Sequence, residues 1–240
     1  MVANSAVTFS DVAISYGKHE VLSEINLEVL PGEYLGLIGV NGAGKTTLIK
    51  SLLDFTQLKA GSISIFGRSN TIAESREQLA FLPEKFVPPY YLSGADYLEY
   101  MSELYGKSHE PEKVKQMLAV LDLDISALGK SVRELSKGMS QKLGLAACLM
   151  SDRDLFILDE PMSGLDPKAR AYLKQYLLDL KKQNKTLFFS THMLADVETL
   201  CDKVAILHEG LIKFTGSPTE CSEKYGTDNF EQAYLRCVSD

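Results

Sequence analysis

The chain has no apolar run approaching the roughly 20 residues that a helix needs to cross a bilayer. Its longest candidate, Leu143 to Met150, is far too short. Met1 to Ser10 does not place a basic stretch ahead of an apolar one, so it does not read as a signal peptide. The expectation is a soluble, cytoplasmic chain that meets the cytoplasmic face of a membrane only through a partner. Cysteine is scarce: Cys148, Cys201, Cys221 and Cys237 form no C-x-x-C pair and no Cys/His cluster with zinc spacing. They read as reduced structural thiols of the cytosol. Basic residues are outnumbered, 25 Lys plus Arg against 32 Asp plus Glu, for a net charge of −7. Such a chain has no general electrostatic attraction to DNA or RNA, so no nucleic-acid partner is expected. There is no internal repeat and no low-complexity segment.

What is present is enough material for a core. The 240 residues are 45% apolar and 24% charged, which fits one large domain or one domain with an inserted lobe. Val7–Tyr16 and Ile25–Val29 alternate apolar and polar residues as strands do, and Pro31-Gly32 marks a turn. Tyr34–Ile38 is a continuous apolar run, the pattern of a buried parallel strand. A glycine-rich loop and a helix over Lys45 to Asp54 follow, then strands at Ser62–Phe66 and Leu79–Leu82. From Glu84 to Met150 helical spacing takes over. Ser93 and Asp96 have the form of a capping box, and Pro111 suits the first turn of the next helix. Strands return at Leu155–Leu158, Thr186–Phe189 and Val204–Leu207, with a helix over Lys168 to Lys182 between them. Alternating strands and helices imply an α/β fold: a parallel sheet covered on both faces. Residues 1–83 and 151–240 then make the α/β core and 84–150 a helical insertion.

The most specific local signal is Gly39-Val40-Asn41-Gly42-Ala43-Gly44-Lys45-Thr46, followed by Thr47. It matches G-x-x-x-x-G-K-[ST], preceded by a buried strand and followed by a helix. Glycines let successive N–H groups turn toward phosphate oxygens, and the helix N-terminus adds its positive end. Lys45 supplies a charge for the β- and γ-phosphates, and the Thr46 hydroxyl is a ligand that Mg²⁺ accepts. A second signal is Leu155-Phe-Ile-Leu-Asp159-Glu160, an apolar strand ending in two carboxylates at the carboxyl edge of the sheet. Asp159 is expected in the Mg²⁺ shell and Glu160 beside the attacking water. Third, Ser136 and Gly138, in Leu135-Ser-Lys-Gly-Met-Ser-Gln141, open a helical stretch and can offer a hydroxyl and bare N–H groups to an anion.

Together these residues resemble the ATPase subunits of ABC transporters over roughly Val7 to Gly216. That family's signature usually reads Leu-Ser-Gly-Gly-Gln; here Lys137 and Met139 interrupt it. The resemblance implies a P-loop NTPase fold with an N-terminal antiparallel β subdomain and an inserted α-helical subdomain. It implies that Tyr16 stacks on adenine, that Ser163–Asp166 meets the opposite subunit, and that His192 contacts the γ-phosphate. It also implies that Glu84, where the family usually has Gln, ligates Mg²⁺. Ser136 and Gly138 would close over ATP bound in a second cassette, so a dimer is implied, along with a transmembrane permease. The departures at Glu84 and in the signature, with the terminal Asn229–Arg236 stretch, resemble the branch serving exporters of drugs, polysaccharides or sodium. Soluble relatives with assembly or scaffold tasks use the same cassette, and that alternative stands beside export. A phosphate-loop kinase would have no use for Ser136–Gln141 or Ser163–Asp166. The aromatic-rich stretch Phe86 to Tyr100 reads either as core of the helical lobe or as a groove for a membrane partner's helix.

Overall fold

The computed structural model describes residues 5–239. Six strands form the central sheet: β3 (Tyr34–Ile38), β6 (Leu79–Leu82), β7 (Leu155–Asp159), β8 (Thr186–Thr191), β9 (Lys203–His208) and β10 (Leu211–Gly216). Their order is β10-β9-β3-β8-β7-β6, parallel except for the β9–β10 hairpin at one edge. A smaller antiparallel sheet, ordered β2-β1-β4-β5, comprises β1 (Val7–Tyr16), β2 (His19–Val29), β4 (Ala60–Ile65) and β5 (Arg68–Ser69).

Strand alternation separates two cores across the parallel sheet. Leu35, Leu37, Leu155, Ile157 and Phe188 face the small sheet and helix α1 (Lys45–Leu52), where they pack with Val7, Phe9, Leu48 and Ile49. Tyr34, Ala80, Phe156, Leu158 and Phe189 face the opposite way. That side is covered by α2 (Gly94–Leu104), α3 (Pro111–Val120), α4 (Lys137–Leu149) and α5 (Pro167–Lys182). A third cluster joins Ile38, Val204 and Ile206 to α6 (Leu194–Leu200), α7 (Pro218–Tyr225) and α8 (Phe230–Ser239). One face of the sheet is therefore covered largely by a second sheet and a single helix.

Helix starts follow local chemistry. Ser93 and Asp96 form the reciprocal capping box that opens α2. Pro111 stands in the first turn of α3, and Asp166 with Pro167 opens α5. Alternation is broken in β1, where register shifts at Val12 and Ile14 leave Val12, Ala13 and Ile14 buried in succession. Asp11 turns there with φ 49° and is held by reciprocal bonds with Asn26. Helix α4 is buried from Gln141 to Leu149, which explains its weak polar-to-apolar periodicity.

Candidate functional site

The parallel strands β3, β7 and β8 end side by side, in the register Ile38↔Thr191 and Asp159↔Ser190. Three reactive segments leave from that edge, as ligand sites do in open α/β sheets. The loop after β3 turns through Gly42 at φ 86° and Gly44 at φ 108°. A Cβ at Gly39 would lie 2.4 Å from the Leu207 carbonyl oxygen, so the loop can leave the strand this closely only as glycine. Helix α1 opens at Gly44 with no side-chain cap and no acidic residue in its first turn. Its bare N–H groups and positive dipole end therefore remain available to an anion.

Beside this cradle lies a cleft of about 310 Å³. From the loop it is lined by Asn41, Gly42, Gly44, Lys45, Thr46 and Thr47, and from across it by Val21, Glu84, Lys85 and Glu160. Lys45 is buried; its Nζ donates to the Gly39 carbonyl at 2.7 Å and pairs with Glu160 Oε1 at 3.4 Å. Thr46 Oγ1 donates to Asp159 Oδ2 at 2.9 Å. The Ser190 hydroxyl donates to the other Asp159 oxygen and accepts the Glu160 amide at 3.0 Å. His192 Nδ1 lies 2.9 Å from Glu160 Oε2. Glu160 holds φ at 50°, a strained conformation for a side chain of its kind, of the sort that persists where function needs a particular aim.

The cleft thus brings together most of the loop with Lys45, Thr46, Glu84 and Glu160. Asp159 and His192 reach it through hydrogen bonds to Thr46 and Glu160. Gly39 and Ala43 are buried behind the lining. Tyr16 is exposed at the end of β1, its hydroxyl 3.4 Å from Thr56 Oγ1, and does not line the cleft. Ser136, Gly138 and Asp166 also lie outside it. Ser136 caps α4 by accepting the Met139 amide at 3.2 Å, and stands exposed. Asp166 caps α5 by accepting the Ala169 amide at 3.0 Å. That bond, then Lys142, lowers its carboxyl to about 2. Two participants were not anticipated from sequence. Ser190 is placed by strand register alone, and Lys85 adds a second cation beside Glu84.

The donors fit a hard cation. Thr46 and Asp159 present oxygen, the ligand Mg²⁺ prefers. Among the described residues no three His, Cys, Asp or Glu side chains gather into a metal cluster. A Mg²⁺ ion held by these two residues would leave room for phosphate oxygens and water, which it commonly keeps.

A buried strand, a glycine-rich loop, a bare helix N-terminus and a carboxylate-ended neighbouring strand define a phosphate-loop nucleotide-binding protein. The family described as "ABC transporter" matches residues 22–163. An uncharacterized ABC transporter ATP-binding protein of Synechocystis is 39% identical over 223 residues, covering 91% of this chain and 62% of its own length. The Nod factor export ATP-binding protein I of Rhizobium etli is 33% identical over 239 residues, covering 95% and 76%. A solved structure, an ATP binding subunit of an ABC transporter, superposes with a TM-score of 0.88 at 29% identity, over 97% of this chain and 99% of its own. The chain spans about three-fifths of the length of the first curated relatives it matches. It belongs to the ABC transporter family and carries that family's ATP-binding cassette, an ATPase unit. Among the described residues no helix is long and apolar enough to cross a membrane.

Proposed function

We propose that this chain hydrolyses ATP between two cassettes to drive export through a separate transmembrane permease on the cytoplasmic face of the membrane. The observation that carries this is a division of labour. Lys45, Thr46, Asp159, Ser190, Glu160 and His192 form one cluster joined by hydrogen bonds and the Lys45–Glu160 ion pair, whereas Ser136, Gly138 and Asp166 do not line the cleft that cluster borders. The second group completes a site only on another cassette, and a second copy of this chain supplies it. The name of the Nod factor export relative, the Glu84 substitution and the altered signature support the export direction.

In this reading adenine stacks on Tyr16 and the phosphates lie over the loop from Gly39 to Thr47. Lys45, now paired with Glu160, turns its charge to the β- and γ-phosphates. Glu160, so released and still aimed by its strained backbone, polarises a water toward the γ-phosphorus. As the water oxygen bonds to phosphorus its proton passes to the Glu160 carboxylate, the bond to the β,γ-bridging oxygen breaks, and ADP and inorganic phosphate leave, the phosphate or solvent taking up the proton. His192 holds the γ-phosphate and orients the Glu160 carboxylate. Thr46, Asp159 and Glu84 would hold Mg²⁺, which would neutralise phosphate charge. Tyr90 and Tyr91, exposed and set edge-on at 5.6 Å, form the docking surface for the permease. Phe86 and Tyr97 instead pack into the helical lobe, residues 84–150.

The test is Glu160→Gln. Turnover should fall by roughly 10²–10⁴-fold, the usual worth of a general base, while ATP still binds. With ATP the variant should accumulate as a dimer by light scattering. Wild-type turnover in this variant would remove Glu160 from the role, and a persistent monomer would remove the two-cassette site.

A further inference from the structure

Lys142 takes no part in the site described above, yet it is a buried cation in the helix that begins at the signature. Its relative exposure is 7%. Its ammonium donates to the Asp122 carbonyl at 2.9 Å and pairs with Asp166 Oδ2 at 3.1 Å. Asp122 closes α3 in a left-handed conformation, φ 50°, and its carboxylate takes Lys168 Nζ at 2.7 Å, in the first turn of α5. Lys168, Asp122, Lys142 and Asp166 therefore form one chain that ties α3 and α4 to the start of α5. A second contact lies alongside it: a Cβ built on Gly138 would stand 2.9 Å from the Gly164 carbonyl oxygen. The signature backbone and the Ser163–Asp166 turn touch directly, and Lys142 pins them beside that contact.

We infer that Lys142 is a positioning residue for cassette closure, holding the signature helix and the Ser163–Asp166 turn in one fixed register toward the partner subunit. This rests on the two-cassette reading above. Both segments must meet the partner together, so rotation of α4 against α5 would misplace one of them. The asymmetry of burial makes the pair testable. Removing Asp166 would leave the buried ammonium with the Asp122 carbonyl alone, a modest cost that falls on the fold rather than on closure, because Asp166 itself is half-exposed. Removing the ammonium leaves an exposed carboxylate that water solvates. Lys142→Met keeps the apolar stem and its volume and leaves no buried charge, so the fold should survive.

The experiment places Lys142→Met and Lys142→Arg in the Glu160→Gln background. It measures melting temperature, affinity of the monomer for a fluorescent ATP analogue, and ATP-dependent association by sedimentation. For Met, association should weaken by roughly tenfold, the scale of change seen along coupling networks, with nucleotide affinity within about twofold of the parent. Arg, which can make both contacts, should restore most of it. The companion Asp166→Asn keeps the N-cap acceptor while removing the charge. Combined with Lys142→Met it should add little further loss, because both act on one pair. Unchanged association in the Met variant overturns the inference. So does a parallel loss of melting temperature, nucleotide affinity and association, which would mean that Lys142 only holds the fold. If Glu160→Gln itself fails to associate with ATP, the two-cassette reading falls first and takes this one with it.

Discussion

The two functional ends of the cassette are built on opposite principles. At the phosphate end, polar side chains bond to one another across strands: Lys45 and His192 to Glu160, Thr46 and Ser190 to Asp159. At the signature end, Ser136 caps its own helix, Gly138 abuts Gly164, and Asp166 caps α5 while pairing with Lys142. The first end is a cluster in which the buried charges of Lys45 and Glu160 pair within the chain. The second is a rigid but exposed edge whose groups are held in place by the helices they begin. Burial explains the difference: charges withdrawn from water need partners within the chain, whereas exposed caps can wait for a partner on another molecule.

Breaking the phosphate end should have the largest effect. Lys45→Ala removes the charge offered to phosphate and leaves the buried Glu160 carboxylate without its cation. Losing the charge that pairs with bound phosphate, one member of a buried charged pair, costs about 2–5 kcal/mol of binding. Nucleotide affinity measured by calorimetry should accordingly fall by about a hundredfold or more. Affinity within threefold of wild type would mean that the loop binds phosphate through backbone N–H groups alone.

Gly138→Ala probes the other end and should separate the two. The new Cβ meets a backbone oxygen at 2.9 Å, so either α4 or the Ser163–Asp166 turn must shift. Alanine favours helix over glycine by up to about 1 kcal/mol, which offsets part of the cost of that shift, so melting temperature should fall only slightly. Steady-state turnover should nevertheless fall several-fold while monomer affinity for ATP stays constant. A drop in monomer affinity would show that the two ends are not independent.

How much of this was legible in sequence follows the same division. The phosphate loop and the Asp159-Glu160 strand end are contiguous, so spacing alone displays them. Ser190 is not, because its partners lie on β7 and only the register Asp159↔Ser190 brings them together. Lys142 is equally silent: a lysine inside a helix gives no sign that it is buried against two other elements. The capping box at Ser93 and the proline at Pro111 announced α2 and α3. Helix α7 carries the same signals in Ser217-Pro218-Thr219-Glu220, and the turn from β9 to β10 runs through Glu209 and Gly210, both at positive φ. Those two elements were readable but are short, so periodicity gave them little weight. The N-terminal alternation was readable only in part, since the shifts around Asp11 displace side chains between faces.

Glu84 sharpens the comparison within the phosphate end, because it is an exposed carboxylate beside a buried cluster. Glu84→Gln keeps an oxygen ligand but removes a full charge. The Mg²⁺ concentration giving half-maximal hydrolysis should rise by roughly tenfold, the lower end of what altering a metal site's supporting groups costs in affinity. Lys85, on the same wall, then faces no neighbouring carboxylate at position 84. An unchanged Mg²⁺ requirement would restrict the protein's share of the metal site to Thr46 and Asp159.

The smallest effect belongs to Asp166, whose carboxyl is held at about 2, below its ordinary 3.8, first by the Ala169 amide and then by Lys142. A depressed carboxyl stabilises the fold fully above the unfolded value. That contribution is lost as pH falls from about 3.8 through about 2. Asp166→Asn retains an oxygen for the Ala169 amide but has no proton to gain, so its urea midpoint should change less over that window than the wild-type midpoint does. Because the group is exposed, the gap between the two curves should be small, widest above pH 4 and closing toward pH 2. Parallel curves would mean that neither the Ala169 amide nor Lys142 favours the ionised carboxyl. The signature edge would then be held by backbone contacts, without the charge pair that sets it apart from the phosphate end.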